Sequence, residues 1–198
     1  MSDKTKKTTK KIVIFASGSG TNAENIIKYF QNADNIEVSA VFSNRRSAGA
    51  LKKAHDLSVK SLLFDREAFY HSNDILNLLK DMKPDLIVLA GFLWLFPSAI
   101  IQEFPDKIIN IHPALLPKYG GKGMYGSKVH ETVIKEGEKE SGITIHYVNE
   151  KYDEGNTIFQ ATTSIEKHDT SESLAGKIHQ LEYKHFPEVI QQLLEQTK

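Results

Sequence analysis

The sequence has no cysteine among its 198 residues. That absence excludes disulfide bonds and thiolate metal sites, and it fits a reducing compartment, so we expect a cytoplasmic protein. An excess of charge of either sign is also missing, because 25 Lys and Arg balance 25 Asp and Glu. The total charge therefore gives no electrostatic reason to expect binding to nucleic acid or to an anionic membrane.

Long apolar runs are scarce as well. The longest run, residues 86–96, is too short to cross a bilayer and is followed by Pro97. The first eleven residues include five lysines but lack the apolar segment of a secretory signal. We expect residues 1–10 to form a flexible tail and residues 11–198 to form one domain.

Strand and helix patterns alternate regularly along the chain. Strands are predicted at residues 12–16, 37–42, 61–64, 85–90, 107–111, 142–149 and 156–163. Helices are predicted at residues 23–30, 47–56, 65–82, 97–102, 127–135 and 170–196. Pro187 should kink or break the last of these helices. The alternation through residue 111 predicts an α/β fold, with a single doubly wound, mostly parallel sheet and helices on both faces.

Open parallel sheets bind ligands outside the carboxyl ends of their strands. In this chain those ends are residues 17–22, 91–96 and 110–121, which should converge on one crevice. Within the first of them, Gly18 and Gly20 would let main-chain N–H groups approach an anion at a helix N-terminus. The pattern suits a single phosphate better than a dinucleotide. A plain strand-to-helix turn is the alternative, since Thr21 and Glu24 have the spacing of a capping box.

The second candidate feature is the pair Asn110 and His112. Two residues apart, they point to the same face of a regular strand, and Pro113 and Pro117 stiffen the loop that follows. An amide N–H₂ and an imidazolium can both donate to an oxygen that becomes negative during acyl transfer. The alternative is structural, with an Asn that satisfies loop backbone and a His that packs against Pro113.

Two acidic residues are further candidates. Asp153 next to His112 would favour the protonated imidazole, although Asp is also a common turn former. Glu182 shares a helix face with Ile178, so it either contacts a ligand at the rim of the core or reaches solvent. Near Glu182, His179 and His185 resemble a loose metal set with no convergent third ligand, and we expect no metal. The other histidines are interpreted as structural or surface residues: His55, His71, His130, His146 and His168.

The segment from Asn110 to Tyr119, NIHPALLPKY, resembles the signature of the formyltransferases that use 10-formyltetrahydrofolate. SGSGTN at 17–22, VFSN at 41–44, LAGF at 89–92 and the turn around Asp153 extend the resemblance over residues 11–195. It implies a Rossmann-like formyltransferase fold, a formyl folate co-substrate and a small-molecule acceptor. Relatives that act on methionyl-tRNA or release formate normally carry a further domain, for which this chain has no room. A non-catalytic nucleotide-binding module is the alternative from another class.

The resemblance also implies roles for individual residues. Asn110 would donate to the oxyanion, His112 would be protonated, and Asp153 would hold His112. Contacts to the phosphate and ribose of the acceptor are implied for Gly18, Ser19, Gly20, Thr21, Asn22 and Glu182. Contacts to the folate are implied for Arg66, Leu93, Trp94, Leu95, Phe96, Asn110, Asn149 and Asp153.

The same resemblance leads us to expect a cis peptide bond at Leu116–Pro117 and a monomer or weak homodimer. The chain departs from the family pattern at Trp94, where a cation is frequent, at Glu154, where glycine is frequent, and at residues 119–121, which read YGG in place of YPG.

Overall fold

The computed structural model describes residues 8–196. Its elements are β1 (Lys10–Phe15), α1 (Thr21–Phe30), β2 (Ile36–Ser43), α2 (Gly49–Asp56), β3 (Lys60–Leu63), α3 (Arg66–Tyr70), α4 (Asp74–Met82), β4 (Leu86–Leu89), α5 (Ser98–Glu103), β5 (Ile108–His112), α6 (Ser127–Lys135), β6 (Glu140–Tyr147), β7 (Thr157–Ser164) and α7 (Ser171–Gln196). Most of the predicted tail, residues 1–7, lies outside the described residues. Lys10 already belongs to β1, which therefore starts two residues before the predicted strand and one residue before the predicted domain.

All seven strands form one sheet in the order β3-β2-β1-β4-β5-β6-β7. The pairs from β3 to β5 are parallel, whereas β6 and β7 are antiparallel to their neighbours. The predicted α/β class with a mostly parallel sheet is therefore confirmed. From β1 to β3 the strands are added toward one edge of the sheet, and from β4 onward they are added toward the other edge. The point between β1 and β4 where this order reverses is where open α/β sheets bind ligands.

Apolar side chains cover both faces of the sheet. In β1, Ile12 and Ile14 point into a core shared with α1, α2, α6 and α7. The alternate residues Val13 and Phe15 point into a second core with α3, α4 and α5, in which phenylalanines pack edge to face. A strand buried on both faces needs such a continuous apolar run, which explains why the period-2 alternation of an exposed sheet is missing.

The helix predicted over residues 65–82 is two helices, and this prediction was wrong. Asp65 caps the first one, accepting a hydrogen bond from the backbone N–H of Ala68 at 2.9 Å. The chain then turns at Asn73, whose φ of 59° is incompatible with a continuous right-handed helix. Asn is one of the few residues that adopt this conformation at modest energy, so the break falls at a polar, turn-forming position.

Of the two outcomes expected at Pro187, a kink or a break of the last helix, the break does not occur. Helix α7 continues from Ser171 to Gln196 with Pro187 buried inside it. Burial of the proline ring against the core offsets part of the free-energy cost of the missing helix hydrogen bond. Within residues 8–196, no helix combines the length and apolar character needed to cross a membrane.

Candidate functional site

One cleft, with a volume of about 610 Å³, opens at the carboxyl ends of β1, β4 and β5. Residues 18–22 form one wall, residues 90–93 line the middle, and residues 110–113 form the opposite wall. The predicted convergence of three loops is thus confirmed. The volume lies in the range of small-molecule sites, and no other part of residues 8–196 brings together as many of the candidate residues.

Buried Ser17 joins the loops that surround this cleft. Its hydroxyl donates to Asn44 Oδ1 at 2.7 Å and accepts from the backbone N–H of Leu93 at 3.0 Å. One side chain after β1 therefore fixes the loop after β2 and the loop after β4. The relative position of the cleft walls depends on this contact.

The glycine-rich turn enters α1 through Gly20, which has a φ of 74°. A Cβ at Gly20 would lie 2.3 Å from Ala50 Cα, so both the conformation and the packing require glycine. The capping box predicted for Thr21 and Glu24 is wrong, because the helix begins at Thr21 and no side chain caps it. Glu24 instead pairs with Lys28 and Lys53. The first N–H groups of α1 consequently lack a side-chain cap and face the cleft side of the turn.

Glu182 lies at the rim of the core and lines the cleft, and its side chain is only 7% exposed. Asn22 Nδ2 donates to Glu182 Oε2 at 2.9 Å, while Asn22 Oδ1 is buried without a protein partner. Burial raises the pKa of Glu182, and Asn22 and His179 only partly offset this effect. The Glu182 carboxylate is thus an acceptor at the polar end of the cleft, whereas Asn22 Oδ1 has almost no accessible surface.

At the other end, His112 is buried at the end of β5, and both of its ring nitrogens face oxygen atoms. Nε2 donates to the backbone carbonyl of Tyr119 at 2.7 Å, and Nδ1 lies 3.5 Å from Asp153 Oδ2. The contact between His112 and Asp153, which could not be read from sequence, is therefore present. The Leu116–Pro117 peptide in this loop is cis, as expected.

Asp153 acts to raise the pKa of His112, as expected, but the expectation of a protonated His112 needs a correction. Burial lowers the pKa of His112, and although Asp153 and the Tyr119 carbonyl oppose this effect, the pKa stays below the ordinary value of 6.5. The neutral imidazole is therefore the main form at pH 7 before a ligand binds. The geometry nevertheless provides an acceptor for each ring proton of the imidazolium, so a ligand that brings negative charge would favour the protonated form.

Asp153 occupies a left-handed conformation with φ 58° at the turn between β6 and β7. Its Oδ2 accepts from the backbone N–H of Gly121 at 2.9 Å, and its Oδ1 lies 3.4 Å from Asn110 Nδ2. Burial acts to raise the pKa of Asp153, but contacts with His146, His112 and Gly121 outweigh it, so the pKa lies below the ordinary 3.8. Asp153 is thus a carboxylate that holds the other members of the site.

His146, interpreted from sequence as structural, is the member that was missed. Its Nε2 lies 3.1 Å from Asn110 Nδ2 and 3.6 Å from Asp153 Oδ1, while Nδ1 donates to the Tyr147 carbonyl at 2.8 Å. It accepts from Asn110 when neutral and can donate to Asp153 when protonated. Asn110 and His146 are direct partners in the β5–β6 register. The polar Thr144 and His146 on one face of an otherwise apolar strand were the signal that could have identified it.

His130 is likewise more than a surface residue. It lines the cleft from α6, and its buried Nδ1 has no hydrogen-bond partner in the protein. Burial lowers the pKa of His130, with smaller contributions from His179 and His112. Among residues 8–196, no group of three or more His, Asp and Glu side chains is arranged to hold a metal ion.

The residues expected to contact a folate are more scattered. Leu93 lines the main cleft, whereas Arg66 and Trp94 line a neighbouring cavity of about 530 Å³. The Arg66 guanidinium lies 4.8 Å from the centre of the Trp94 ring, a cation–π contact. Phe96 is buried in the aromatic core. Leu95 accepts a hydrogen bond from the Tyr70 hydroxyl through its carbonyl, and the Asn149 side chain accepts from the Lys151 N–H.

Comparison with known proteins gives a consistent result. The family model described as formyl transferase matches residues 10–190. A chloroplastic phosphoribosylglycinamide formyltransferase of Arabidopsis thaliana is 36% identical over 193 residues, covering 94% of this chain and 66% of its own length. The Bacillus subtilis phosphoribosylglycinamide formyltransferase is 35% identical, covering 93% of this chain and 95% of its own length. The crystal structure of the Bacillus halodurans phosphoribosylglycinamide formyltransferase superposes with a TM-score of 0.84 at 34% identity, covering 96% and 97% of the two chains.

Proposed function

Because this chain belongs to the formyl transferase family, we propose that it transfers a formyl group from 10-formyltetrahydrofolate to the amine of glycinamide ribonucleotide. The products are formylglycinamide ribonucleotide and tetrahydrofolate, a step of de novo purine synthesis. The chain spans about two thirds of the length of the Arabidopsis relative but 95% of the Bacillus subtilis protein, whose name carries the same activity. The observation that carries the proposal is the approach of Asp153 to both Asn110 and His112 in a cleft that also holds a phosphate-type turn.

The polar end of the cleft would bind the ribonucleotide. The N–H groups at residues 18–22 and the positive end of α1 favour a phosphate. The Glu182 carboxylate, which Asn22 holds through Nδ2, is an acceptor suited to ribose hydroxyls. Anchoring the phosphate at one end directs the amine toward the other end, where the titratable cluster lies.

At that end, Asn110 would turn the Nδ2 hydrogen that faces Asp153, 3.4 Å away, to the formyl oxygen, which gains negative charge as the amine adds to the formyl carbon. His112, once protonated and released from the Tyr119 carbonyl, would donate through Nε2 to the same oxygen and carry the proton that the folate nitrogen needs to depart. Asp153 orients His112 and stabilises its protonated form, and His146 keeps the Asn110 amide directed into the cleft. With these donors the proposed reaction needs neither a covalent intermediate with the protein nor a metal.

The formyl folate would lie against residues 93–96 and 149–153. We propose that Leu93 and the backbone of this loop contact the pterin, and that Arg66 and Trp94 meet the outer part of the molecule in the neighbouring cavity. The Arg66–Trp94 contact gives that cavity a cation where the family pattern has one at position 94 itself. Asn149 and the Asp153 turn would close the other side.

The remaining proposals concern the protein as a whole. We propose that residues 11–198 act as one domain in the cytoplasm, as a monomer or weak homodimer. Its partners would be the two small-molecule substrates, with no role for nucleic acid, membrane or metal. Zero formal net charge agrees with small-molecule substrates better than with tRNA.

One assay with three acceptors tests the activity. Purified protein is incubated with 10-formyltetrahydrofolate and either glycinamide ribonucleotide, water alone or methionyl-tRNA, and the formylated product or free formate is measured. We expect rapid transfer to the ribonucleotide only. Release of formate, or formylation of methionyl-tRNA, would reassign the chain within the family, and nucleotide binding without any transfer would favour a binding module.

A further inference from the structure

Asn25 lies on α1 one turn beyond Asn22 and does not line the cleft. Its side chain Nδ2 donates to the backbone carbonyl of Tyr183 in α7 at 2.8 Å. A main-chain carbonyl inside a helix normally accepts from the N–H four residues later, so it is seldom free to take a strong bond from a side chain of another helix.

Pro187 explains why this carbonyl is free. The residue four positions after Tyr183 is Pro187, which has no N–H. A buried carbonyl without a donor is unfavourable, and Asn25 supplies the missing donor from the neighbouring helix. The proline inside α7 thereby leaves the Tyr183 carbonyl free to accept, and the Asn25 side chain of α1 donates to it.

A second hydrogen bond joins α1 to α7 one turn nearer the cleft. Asn22, three residues before Asn25, donates to Glu182, which directly precedes Tyr183. Residues three apart in a helix lie on the same face, so the two amides of α1 meet two consecutive residues of α7. Glu182 is therefore positioned by a second bond that involves neither its own carboxylate nor any ligand.

We propose that Asn25 and Pro187 together are positioning residues that fix Glu182 of α7 against the turn at residues 18–22. This inference rests on the proposed binding of a phosphorylated ribose between those two features. It assigns the pair a role in binding the ribonucleotide, separate from the chemistry at Asn110 and His112.

Asn25→Ala tests the proposed role of Asn25. Loss of one hydrogen bond that positions Glu182 should raise KM for glycinamide ribonucleotide about fivefold, the equivalent of one typical net hydrogen bond. KM for 10-formyltetrahydrofolate and kcat should change by less than about twofold, because the other end of the cleft keeps its contacts. A fall in kcat at constant KM would contradict the proposal.

Tyr29→Phe is the matched control. It removes another α1–α7 hydrogen bond, from the Tyr29 hydroxyl to Gln191 Oε1 at 2.8 Å, which lies on the exposed surface farther along both helices. We expect all kinetic constants to stay at the wild-type value. An increase in KM equal to that of Asn25→Ala would mean that general loosening of the helix pair, and not this contact, is responsible.

Pro187→Ala tests the proposed role of Pro187. The new N–H at position 187 can bond to the Tyr183 carbonyl, so Asn25→Ala in this background should raise KM by less than about twofold. Equal effects of Asn25→Ala in the two backgrounds would overturn the link between the residues. If Asn25→Ala alone folds poorly, Pro187→Ala with and without Asn25→Ala still tests the link, because a fivefold rise in KM on adding Asn25→Ala to Pro187→Ala would overturn it.

Binding of ribose 5-phosphate, measured by calorimetry on the wild-type protein and the four variants, separates this inference from the proposed activity. Wild-type protein that binds ribose 5-phosphate more tightly than Asn25→Ala, but transfers no formyl group, contradicts the activity and supports the positioning role. Protein that formylates the ribonucleotide with unchanged KM after Asn25→Ala supports the activity and contradicts the positioning role. Wild-type protein that neither binds nor transfers contradicts both.

Discussion

The two ends of the cleft hold charge in different ways. At residues 18–22, main-chain N–H groups and a helix N-terminus would bind the proposed phosphate, and the left-handed conformation of Gly20 keeps this turn in shape. At the end of β5, His112, His146 and Asp153 form a buried cluster in which each group changes the pKa of another. Backbone groups do not titrate, whereas the cluster must change protonation with pH. Substitutions that add a Cβ should therefore disturb the first end, whereas substitutions that remove a titratable side chain should disturb the second.

The largest effect should come from Asn110→Ala. Removing one donor to the developing oxyanion lowers kcat on the order of 10²–10³-fold, whereas KM for the ribonucleotide, set at the other end, should remain near wild type. Steady-state kinetics with both substrates measure this. Asn77→Ala, at an exposed position of α4, is the control. Nearly normal turnover in the Asn110 variant would remove Asn110 from the mechanism.

His112→Ala should lower kcat by roughly 10²-fold, the range for a general acid. His71→Ala removes an exposed imidazole and should leave kcat unchanged. The two variants compared at the same pH distinguish a specific role from a general effect of losing histidine. Equal rates for the two would mean that the cluster is not where the proton is transferred.

Gly20→Ala should distort the backbone of the turn at residues 18–22 and destabilise the protein. A residue with a Cβ in the left-handed region costs about 1–2 kcal/mol, and contact with Ala50 adds to this, so the melting temperature should fall. Gly18→Ala is the matched control for stability, because nothing lies within 4 Å of a Cβ at that position. Thermal unfolding curves of both variants decide the comparison. Equal melting temperatures would show that the turn can relax away from Ala50.

The smallest effect concerns pH. The folded pKa of His112 and of His130 lies below 6.5, so the stability that their neutral forms contribute is complete above about pH 6.5 and is lost as pH falls through the folded values. Asp153 has the same sign but acts only below about pH 3.8. The melting temperature should therefore fall on acidification below pH 6.5, and less steeply in His112→Gln. An identical slope in that variant would contradict the lowered pKa.

Sequence predicted the sheet well because the alternation of apolar runs with helical periods is a local signal. The candidate pair Asn110 and His112 was also accessible, since spacing along one strand fixes which side chains share a face. His146 was missed because its role depends on the pairing of β5 with β6, which no local pattern specifies. The pKa of His112 was misjudged for a related reason, as burial outweighs the adjacent carboxylate and burial is a property of the whole fold.

Two helix predictions differ in what sequence could show. Asn73 was placed inside a helix because the apolar pattern on either side remains in phase, yet its positive φ separates α3 from α4. Pro187 was expected to kink or break α7, and the helix is not broken, because tertiary packing and a donor from α1 compensate for the lost bond. For Pro187 the compensating interactions lie outside the local sequence.

The contact between Asn22 and Glu182 joins residues 160 positions apart in the chain. A ribosome adds residues one at a time from the N-terminus, at roughly 5–20 per second, so Asn22 is made roughly 8–32 s before its partner. During that interval the apolar side of α1, with Ile26 and Phe30, lacks the helix that covers it in the finished protein. This apolar surface of α1 therefore stays uncovered until α7 emerges, and the proposed ribose end of the cleft would be completed last.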